Sequence, residues 1–259
     1  MTHYDVQVLG DGIVGRSLAL ALARLGLRVT LRSEGPRAAP RQDVRAYALN
    51  AASVDLLRGL KVWDALPAGA ATPVLDMHVQ GDAHGAAIDF SAWQQRVSAL
   101  AWITDAAVLE RELGSAVRFA PHVTVIDGDA RIEAALTALC EGKASPTRDA
   151  LGVTFERQDY GHRAIAARLT SDRPHRGIAR QWFRSPDVLA LLPFDTPQPG
   201  SSWALVWSLP EADAQARLAL APEEFEHELV RATGGEAGAL TLASDRQSWP
   251  LMLANASSW

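Results

Sequence analysis

The sequence predicts an α/β fold in which a βαβ unit with a parallel sheet is interleaved with an antiparallel sheet. Three observations support this fold class. A strand pattern, a glycine-rich turn and a helix pattern of alanine and leucine follow one another at the start of the chain. Short alternating segments then fill residues 74–103. The residues after Gly152 are rich in β-branched and aromatic side chains punctuated by Pro and Gly, as antiparallel strands are.

The βαβ unit is predicted from the first thirty residues. The first strand should run from Asp5 to Leu9, and the helix from Arg16 to Leu25. Gly26 stands where a left-handed C-cap is expected. A second strand, Arg28 to Arg32, completes the unit.

Further elements are predicted from capping residues and from periodicity. Asn50 and Asp105 should cap helices over residues 51–60 and 106–113. Pro222 should open a third helix, with Phe225 and Leu229 as its buried stripe. The remaining assignments are a loop at 69–73 and strands or extended segments at 117–126 and 134–140.

Composition narrows the functional class. The chain has 259 residues and a net charge of -5, without the basic stripe of a nucleic-acid binder, so nucleic acid is not expected as a partner. Cys140 is the only cysteine, which excludes an internal disulfide framework, and we interpret it as a small buried hydrophobe. The longest apolar stretch, Ser17 to Leu27, is interrupted by Arg24 and is too short to span a bilayer. A cytoplasmic location is expected.

The glycine turn carries the strongest local signal. Its sequence, Gly10-Asp11-Gly12-Ile13-Val14-Gly15, has the GxGxxG spacing, follows a predicted strand and opens a predicted helix. The first glycine permits a tight turn, the second lets phosphate approach the backbone, and the third lets the helix pack on the strand. The helix N-terminus supplies unpaired N–H groups to an anion. The turn therefore predicts binding of the pyrophosphate of FAD or NAD.

Glu34 is a candidate for binding the adenosine ribose. A carboxylate about 20 residues beyond the glycines usually has this role. The predicted strand has Ser33 at its tip, however, so Glu34 is equally well interpreted as an exposed turn residue.

Other chemistries find little support in the sequence. His227-Glu228 resembles the start of a zinc-binding HExxH helix, but Arg231 occupies the second histidine position. The other histidines lack ligand spacing, so no metal site is expected. Neither a GxSxG motif nor a Walker glycine loop is present.

Several blocks together resemble one family. These blocks, in chain order, are Asp43 to Asn50, Cys140 to Arg148, Asp159-Tyr160-Gly161, Arg173 to Ala179, Gln181-Trp182-Phe183, Leu191-Leu192-Pro193, Trp207 to Pro210 and Pro250-Leu251. They are similar to the ubiquinone-biosynthesis FAD-dependent hydroxylases, relatives of para-hydroxybenzoate hydroxylase, along essentially the whole chain. The block from 159 to 193 is much more specific than the glycine turn.

The resemblance implies a function and a set of site residues. Family members bind FAD, are reduced by NAD(P)H without a separate nicotinamide domain, and use oxygen to hydroxylate an aromatic ring. It implies that Gly10, Gly12, Ile13, Val14 and Gly15 hold the pyrophosphate of FAD. It implies that Arg45 and the turn of Glu141 and Gly142 flank the flavin. The substrate would be a polyprenylated aromatic molecule, and other ubiquinone-pathway enzymes and the membrane periphery would be further partners. No catalytic acid or base can be named.

The resemblance also implies a domain organisation. Residues 1–73 and 103–152 would form a Rossmann-like FAD-binding domain, and residues 74–102 and 153–254 an antiparallel substrate domain. Residues 255–259 would begin a return to the first domain. The family continues into a GDAAH segment that this chain does not contain. We therefore expect a fragment of a longer protein that is inactive alone, with FAD bound tightly only in the full-length form.

The chain departs from the family pattern at several polar positions. Glu141 replaces the usual Asp, Ala144 replaces an Arg, and Ala106-Ala107 replaces an Asn-Arg pair. These departures leave open a non-catalytic scaffold for partner enzymes. A different FAD-dependent oxidoreductase, such as an amine oxidase, also stays open because it would share the glycine unit.

Overall fold

The computed structural model describes residues 3–33, 43–83, 85–128 and 132–258. The strands in chain order are β1 (Tyr4–Leu9), β2 (Val29–Ser33), β3 (Ala46–Leu49), β4 (Ala71–Val74), β5 (Asp76–Gln80), β6 (Ala87–Ser91), β7 (Ala101–Asp105), β8 (Val123–Asp127), β9 (Ala134–Leu139), β10 (Phe155–Ser171), β11 (Ile178–Arg184), β12 (Asp187–Phe194), β13 (Ser202–Pro210), β14 (Leu240–Leu242) and β15 (Gln247–Ala256). The helices are α1 (Ile13–Arg24), α2 (Ala51–Gly59), α3 (Ala106–Arg118), α4 (Pro146–Ala150), α5 (Glu211–Ala219) and α6 (Pro222–Ala232), with a short 3-10 helix at Trp63–Ala65.

The first part of the fold is a parallel sheet. Its strand order within the described residues is β8-β2-β1-β9. One face packs on α1 and α3 through a core that includes Val8, Leu31, Ala19 and Leu113, all at most 1% exposed. The predicted βαβ unit is confirmed, including the left-handed Gly26 after α1, with φ +82°. Parallel strands end at one edge, so the turns after β1, β2 and β9 meet there.

The second part is a large, mainly antiparallel sheet. Its order is β14-β10-β13-β12-β11-β5-β6, and β15 pairs with β10. Only the β11–β5 pairing is parallel among the described strands of this sheet. Helices α5 and α6 cover one face over a core of Trp182, Trp203, Trp207, Phe225 and Leu229. The α/β fold class is confirmed, as is the buried stripe of α6.

A small three-stranded sheet, with the order β3-β7-β4, lies between these parts of the chain. The prediction of a loop at 69–73 is wrong, because residues from Ala71 form β4. Pro73 is compatible with this strand because β4 is an edge strand, where a missing N–H is tolerated. The division of the chain into domains stays a prediction.

The boundary between α3 and β8 also differs from the prediction. Val117 was expected to begin an extended segment, but α3 continues to Arg118 and β8 begins at Val123. The reason is helical periodicity, since Leu109, Leu113 and Val117 recur every fourth residue and are all buried in one core. The caps Asn50 and Asp105 are confirmed, accepting hydrogen bonds from Ser53 N at 2.9 Å and Val108 N at 3.0 Å.

Candidate cofactor site

The glycine turn after β1 is closely packed at two of its glycines. Gly10 has φ +102°, and a Cβ there would lie 2.4 Å from the carbonyl oxygen of Cys140. A Cβ at Gly15 would lie 1.9 Å from the carbonyl oxygen of Gly10. Any side chain at either position would therefore separate the turn from β9 or from α1.

Gly12 differs from these two glycines because it faces open space. A Cβ at this position would meet no heavy atom within 4 Å. Gly12 is the N-cap of α1 and provides no side-chain cap, and the first turn of the helix carries no acidic residue. The backbone N–H groups at the start of α1, from Ile13 and Val14 onward, thus border an open space that suits an anion.

The turn after β9 lies beside the glycine turn. Cys140 N donates to the carbonyl oxygen of Leu9 at 2.7 Å, which joins the ends of β9 and β1. The Glu141 carboxylate accepts hydrogen bonds from the hydroxyls of Ser145 and Thr147, the second at 2.8 Å. Gly142 has φ +77° and an open Cβ position. The Glu141 side chain therefore orders its own loop, and Gly142 leaves the backbone accessible.

Cys140 is half-buried and packs against the core of the parallel sheet. Burial raises the pKa of its thiol. The thiolate is the reactive form, so Cys140 is unsuited to be a nucleophile at neutral pH. This agrees with its interpretation as a small packing residue.

A polar cluster at the end of β2 was missed from the sequence. Ser33 Oγ donates to Asp11 Oδ2 at 3.0 Å, and Arg16 forms an ion pair with the same carboxylate at 3.5 Å. Arg16 also donates to the carbonyl oxygen of Glu110 in α3 at 2.6 Å. Glu34, the predicted ribose ligand, lies outside the described residues. Ser33, which directly precedes it in the sequence, belongs to this cluster.

Arg45 directly precedes β3 and forms two ion pairs. Its guanidinium lies 2.7 Å from Asp43 Oδ2 and 3.2 Å from Glu110 Oε1, and its side chain is 42% exposed. The hydrogen bonds that the Arg45 guanidinium donates to the Asp43 carboxylate are the main cause of the raised pKa of Arg45. Burial of the Asp43 carboxyl opposes its ionisation. Hydrogen bonds donated by the side chain and backbone of Arg45 outweigh this effect and lower the pKa of Asp43.

The structure brings Arg45 and the glycine turn into one polar network. Glu110 contacts Arg45 through its carboxylate and Arg16 through its carbonyl oxygen, and Arg16 reaches Asp11 in the glycine turn. Of the sequence-predicted site residues, the structure places the glycines, Arg45, Glu141 and Gly142 around the carboxyl edge of the parallel sheet and the adjacent α3.

Replacing Asp43 with asparagine should change the pH dependence of stability. Because the folded-state pKa of Asp43 is lowered, the ionised carboxylate stabilises the fold above the ordinary carboxyl value of about 3.9, by up to about 1 kcal/mol. This contribution is lost as the pH falls through the lowered pKa. Thermal melts should give a lower Tm for Asp43→Asn at pH 6 and a vanishing difference in strong acid. A pH-independent difference would contradict the assignment.

Arg168 is a second arginine that the sequence did not reveal. It lies in β10 with only 5% exposure, and its Nη2 donates to the Arg45 carbonyl oxygen at 2.9 Å and to Asp105 Oδ2 at 3.2 Å. Its guanidinium carbon lies 3.9 Å from the ring centroid of Phe194. Burial lowers its pKa. Arg168 thus joins the large sheet to β3 and to the N-cap of α3.

Arg168 also lies beside the departures noted at the start of α3. Ala106 is fully buried, and its N–H donates to the Arg45 carbonyl oxygen at 3.2 Å. That same carbonyl oxygen accepts from Arg168. The charged donor to this carbonyl oxygen is therefore Arg168 of β10 and not a side chain of the first turn of α3. Ala107 and Ala144 are exposed.

An open cleft of about 690 Å³ extends from Arg45 toward the large sheet. It is lined by Asp43, Arg45, Leu218 and residues 246–249, which end in Trp249. The cleft brings the segment just before β3 together with β15, next to the network just described.

These features agree with the comparison to known proteins. The chain matches the family model described as FAD binding domain over residues 3–258. It belongs to the FAD binding domain family.

Two curated relatives of this FAD binding domain chain are hydroxylases by name. It is 29% identical to ubiquinone hydroxylase UbiL of Rhodospirillum rubrum over 272 residues, covering 96% of this chain and 62% of that protein. It is also 29% identical to 3-demethoxyubiquinol 3-hydroxylase of Escherichia coli over 241 residues, covering 83% of this chain and 58% of that protein. The chain spans about three fifths of the length of these relatives.

Solved structures share the fold of this FAD binding domain. PqsL of Pseudomonas aeruginosa superposes with a TM-score of 0.76 at 17% identity, covering 96% of this chain and 74% of that one. The p-nitrophenol 4-monooxygenase PnpA of Pseudomonas putida superposes with a TM-score of 0.74 at 18% identity, covering 99% of this chain and 70% of that one. Within the described ranges, no helix is long and apolar enough to cross a bilayer.

The residues present fit FAD. The open space at Gly12 and the uncapped N-terminus of α1 suit a pyrophosphate, because both offer backbone N–H groups to an anion. The tight packing at Gly10 and Gly15 fixes the shape of this cradle. A side chain at either of those two positions would push the turn away from β9 or from α1 and distort the cradle.

Proposed function

We propose that the protein is an FAD- and NAD(P)H-dependent aromatic-ring hydroxylase of ubiquinone biosynthesis, and that this chain supplies most of its FAD-binding and substrate-binding structure. The observation that carries the proposal is the alignment with UbiL over 96% of the chain, which includes both sheets. The chemistry that FAD supplies when bound is acceptance of a hydride from NAD(P)H and activation of oxygen for transfer to an aromatic ring.

Each candidate residue has a proposed role in holding the cofactor. Gly10, Gly12 and Gly15 shape the cradle, and the N–H groups of Ile13 and Val14 take part in binding the pyrophosphate. Glu34 binds the adenosine ribose. Arg45 and the Glu141–Gly142 turn flank the flavin, with Asp43 and Glu110 fixing the guanidinium of Arg45.

The substrate we propose is a polyprenylated aromatic molecule that reaches the site through the cleft beside Arg45 and Trp249. Arg168 joins the large sheet to the segment before β3 and to the N-cap of α3, and this contact would limit the access of water to the site from that side. Exposed apolar side chains of Ile88, Phe90 and Trp93 support a peripheral contact with lipid. Other ubiquinone-pathway enzymes are proposed partners, and the cytoplasmic location stays a prediction.

The test uses the protein as its gene encodes it, supplied with FAD, NADH or NADPH, a polyprenylated phenol and isotopically labelled oxygen. We expect phenol-stimulated NAD(P)H oxidation and a product that carries one labelled oxygen atom. Gly12→Glu, which fills the cradle, should remove both signals.

A protein that binds FAD but shows neither signal would overturn the hydroxylase proposal. Pull-down of pathway enzymes by a protein without flavin absorbance would favour the scaffold alternative. Oxidation of an amine would favour the alternative oxidoreductase.

A further inference from the structure

A small cavity on the large sheet lies apart from the candidate cofactor site. It has a volume of about 230 Å³ and lies between the segment after β10 and the start of β11. Trp203 of β13 and residues 236–237 close it. None of the residues that line it belongs to the network around Arg45 and the glycine turn.

The lining of this cavity is strongly basic. It contains three arginines, Arg173, Arg176 and Arg180, against a single carboxylate, that of Glu236. Arg180 is paired with Glu236 at 2.8 Å. No ion pair joins Arg173 or Arg176 to a carboxylate in the described parts of the chain, although Arg173 donates to the Gly235 carbonyl oxygen at 3.3 Å. Two positive charges therefore remain without a counter-charge in the cavity wall.

A buried donor in the same wall also lacks an acceptor. Trp203 is 2% exposed, and its Nε1–H has no hydrogen-bond partner among the described residues. Buried polar groups are usually paired, so an unpaired indole N–H indicates a missing acceptor. The neighbouring His175 accepts from Gly177 N at 3.0 Å through Nδ1, and its Nε2, which also has no hydrogen-bond partner among the described residues, lies 3.4 Å from Asp195 Oδ1.

One of the two arginines without an ion pair has an unusual backbone conformation. Arg176 has φ +53°, in the left-handed region that non-glycine residues rarely adopt. Gly177 follows with φ +71° and packs on Leu75, where a Cβ would lie 2.9 Å from Cγ. The segment is thus held against β5, and Arg176 is kept at the cavity.

We propose that this cavity binds a phosphate group, either as the free anion or as the monoester of a small molecule. Phosphate oxygens accept hydrogen bonds from forked guanidinium groups and would also supply the acceptor that the Trp203 indole lacks. The cavity volume far exceeds the ~30 Å³ share of one water molecule, so it has room for a phosphate and a few attached atoms. The site does not depend on the proposed hydroxylase function.

Isothermal titration with inorganic phosphate and with glycerol 3-phosphate tests the proposal, with chloride added to hold ionic strength constant. We expect saturable binding of at least one of the two probes. Tighter binding of glycerol 3-phosphate identifies a monoester as the source of the phosphate, and tighter binding of inorganic phosphate identifies the free anion.

Four variants separate this site from others. Arg176→Gly removes the side chain at a position whose backbone suits glycine, so it should fold and bind at least about tenfold more weakly. Trp203→Phe removes the N–H together with one ring of the buried indole, and should weaken binding about threefold or more, since a hydrogen bond to a charged group is involved; a thermal melt checks that the variant is folded. Gly12→Glu, which blocks the cofactor cradle, and Arg24→Gln, at an exposed arginine of α1, should leave this binding unchanged.

Absence of saturable binding of both probes would overturn the proposal. Wild-type affinity in Arg176→Gly would also overturn it, as would loss of all phosphate binding in Gly12→Glu.

Discussion

Replacing Arg168 with methionine should lower the free energy of unfolding by about 3–5 kcal/mol, the usual cost of removing one partner of a buried ion pair. The reason is that Asp105 Oδ2 and the Arg45 carbonyl oxygen would each lose the charged donor that Arg168 supplies, which leaves the Asp105 carboxylate without its counter-charge. Methionine keeps much of the side-chain volume, so the loss would measure the pairing and not a cavity. Urea unfolding provides the measurement.

A matched pair of controls makes this prediction specific. Arg231→Met removes an arginine that is 75% exposed and paired with Glu228 on α6, and should change stability by no more than about 0.5 kcal/mol. Asp105→Asn keeps the N-cap of α3 but removes its charge, so combining it with Arg168→Met should cost less than the sum of the two single changes. A loss below about 1 kcal/mol for Arg168→Met would contradict the role we assign to it.

Replacing Gly10 with alanine should cost about 3 kcal/mol or more and abolish FAD binding. Two effects add at this position. The positive φ of Gly10 strains any other residue by about 1 kcal/mol or more, and its Cβ would lie 2.4 Å from the carbonyl oxygen of Cys140, an overlap that adds about 1–3 kcal/mol. Because β9 must move to relieve the overlap, the cradle would lose its shape.

Gly26→Ala is the matched control for this change. Gly26 has φ +82° but no heavy atom within 4 Å of its Cβ position, so only the backbone strain of about 1 kcal/mol applies. Thermal melts and FAD titration of both variants separate strain from overlap. Equal stability losses in the two variants would show that the contact with β9 is unimportant.

The sequence predicted the parts of the fold that local chemistry specifies. The glycine turn, the cap residues Asn50 and Asp105, and the buried stripe of α6 each depend on neighbours within one or two helical turns, and each is confirmed. The end of α3 could also have been found, because Leu109, Leu113 and Val117 follow one helical face. Helix α5, Glu211–Ala219, was not predicted, although its alanines and acidic first turn favour a helix.

The candidate site was predictable only where it carries a motif. Arg45 and the glycines stand in recognisable segments, but Arg168 lies in an alanine-rich strand with nothing local to mark it. Its contacts with Asp105 and with the Arg45 carbonyl oxygen join residues far apart in sequence. The same holds for the network of Asp11, Arg16 and Glu110, which exists only because α1 and α3 pack side by side. Strand β4 was missed because Pro73 is compatible with an edge strand but typical of a loop.

Titration of the protein as its gene encodes it with FAD, followed by the flavin fluorescence, tests the central claim that the open space at Gly12 is the pyrophosphate cradle. Gly12 has an ordinary backbone conformation, φ -71°, so Gly12→Glu fills the cradle with an acidic side chain without straining the turn. Gly59→Ala, at a glycine of α2 with no heavy atom near its Cβ position, is the control. We predict saturable binding by the wild type and by Gly59→Ala, and binding at least about tenfold weaker by Gly12→Glu. Equal FAD affinity of the wild type and Gly12→Glu, or no binding by the wild type, would contradict the claim that this space is the pyrophosphate cradle.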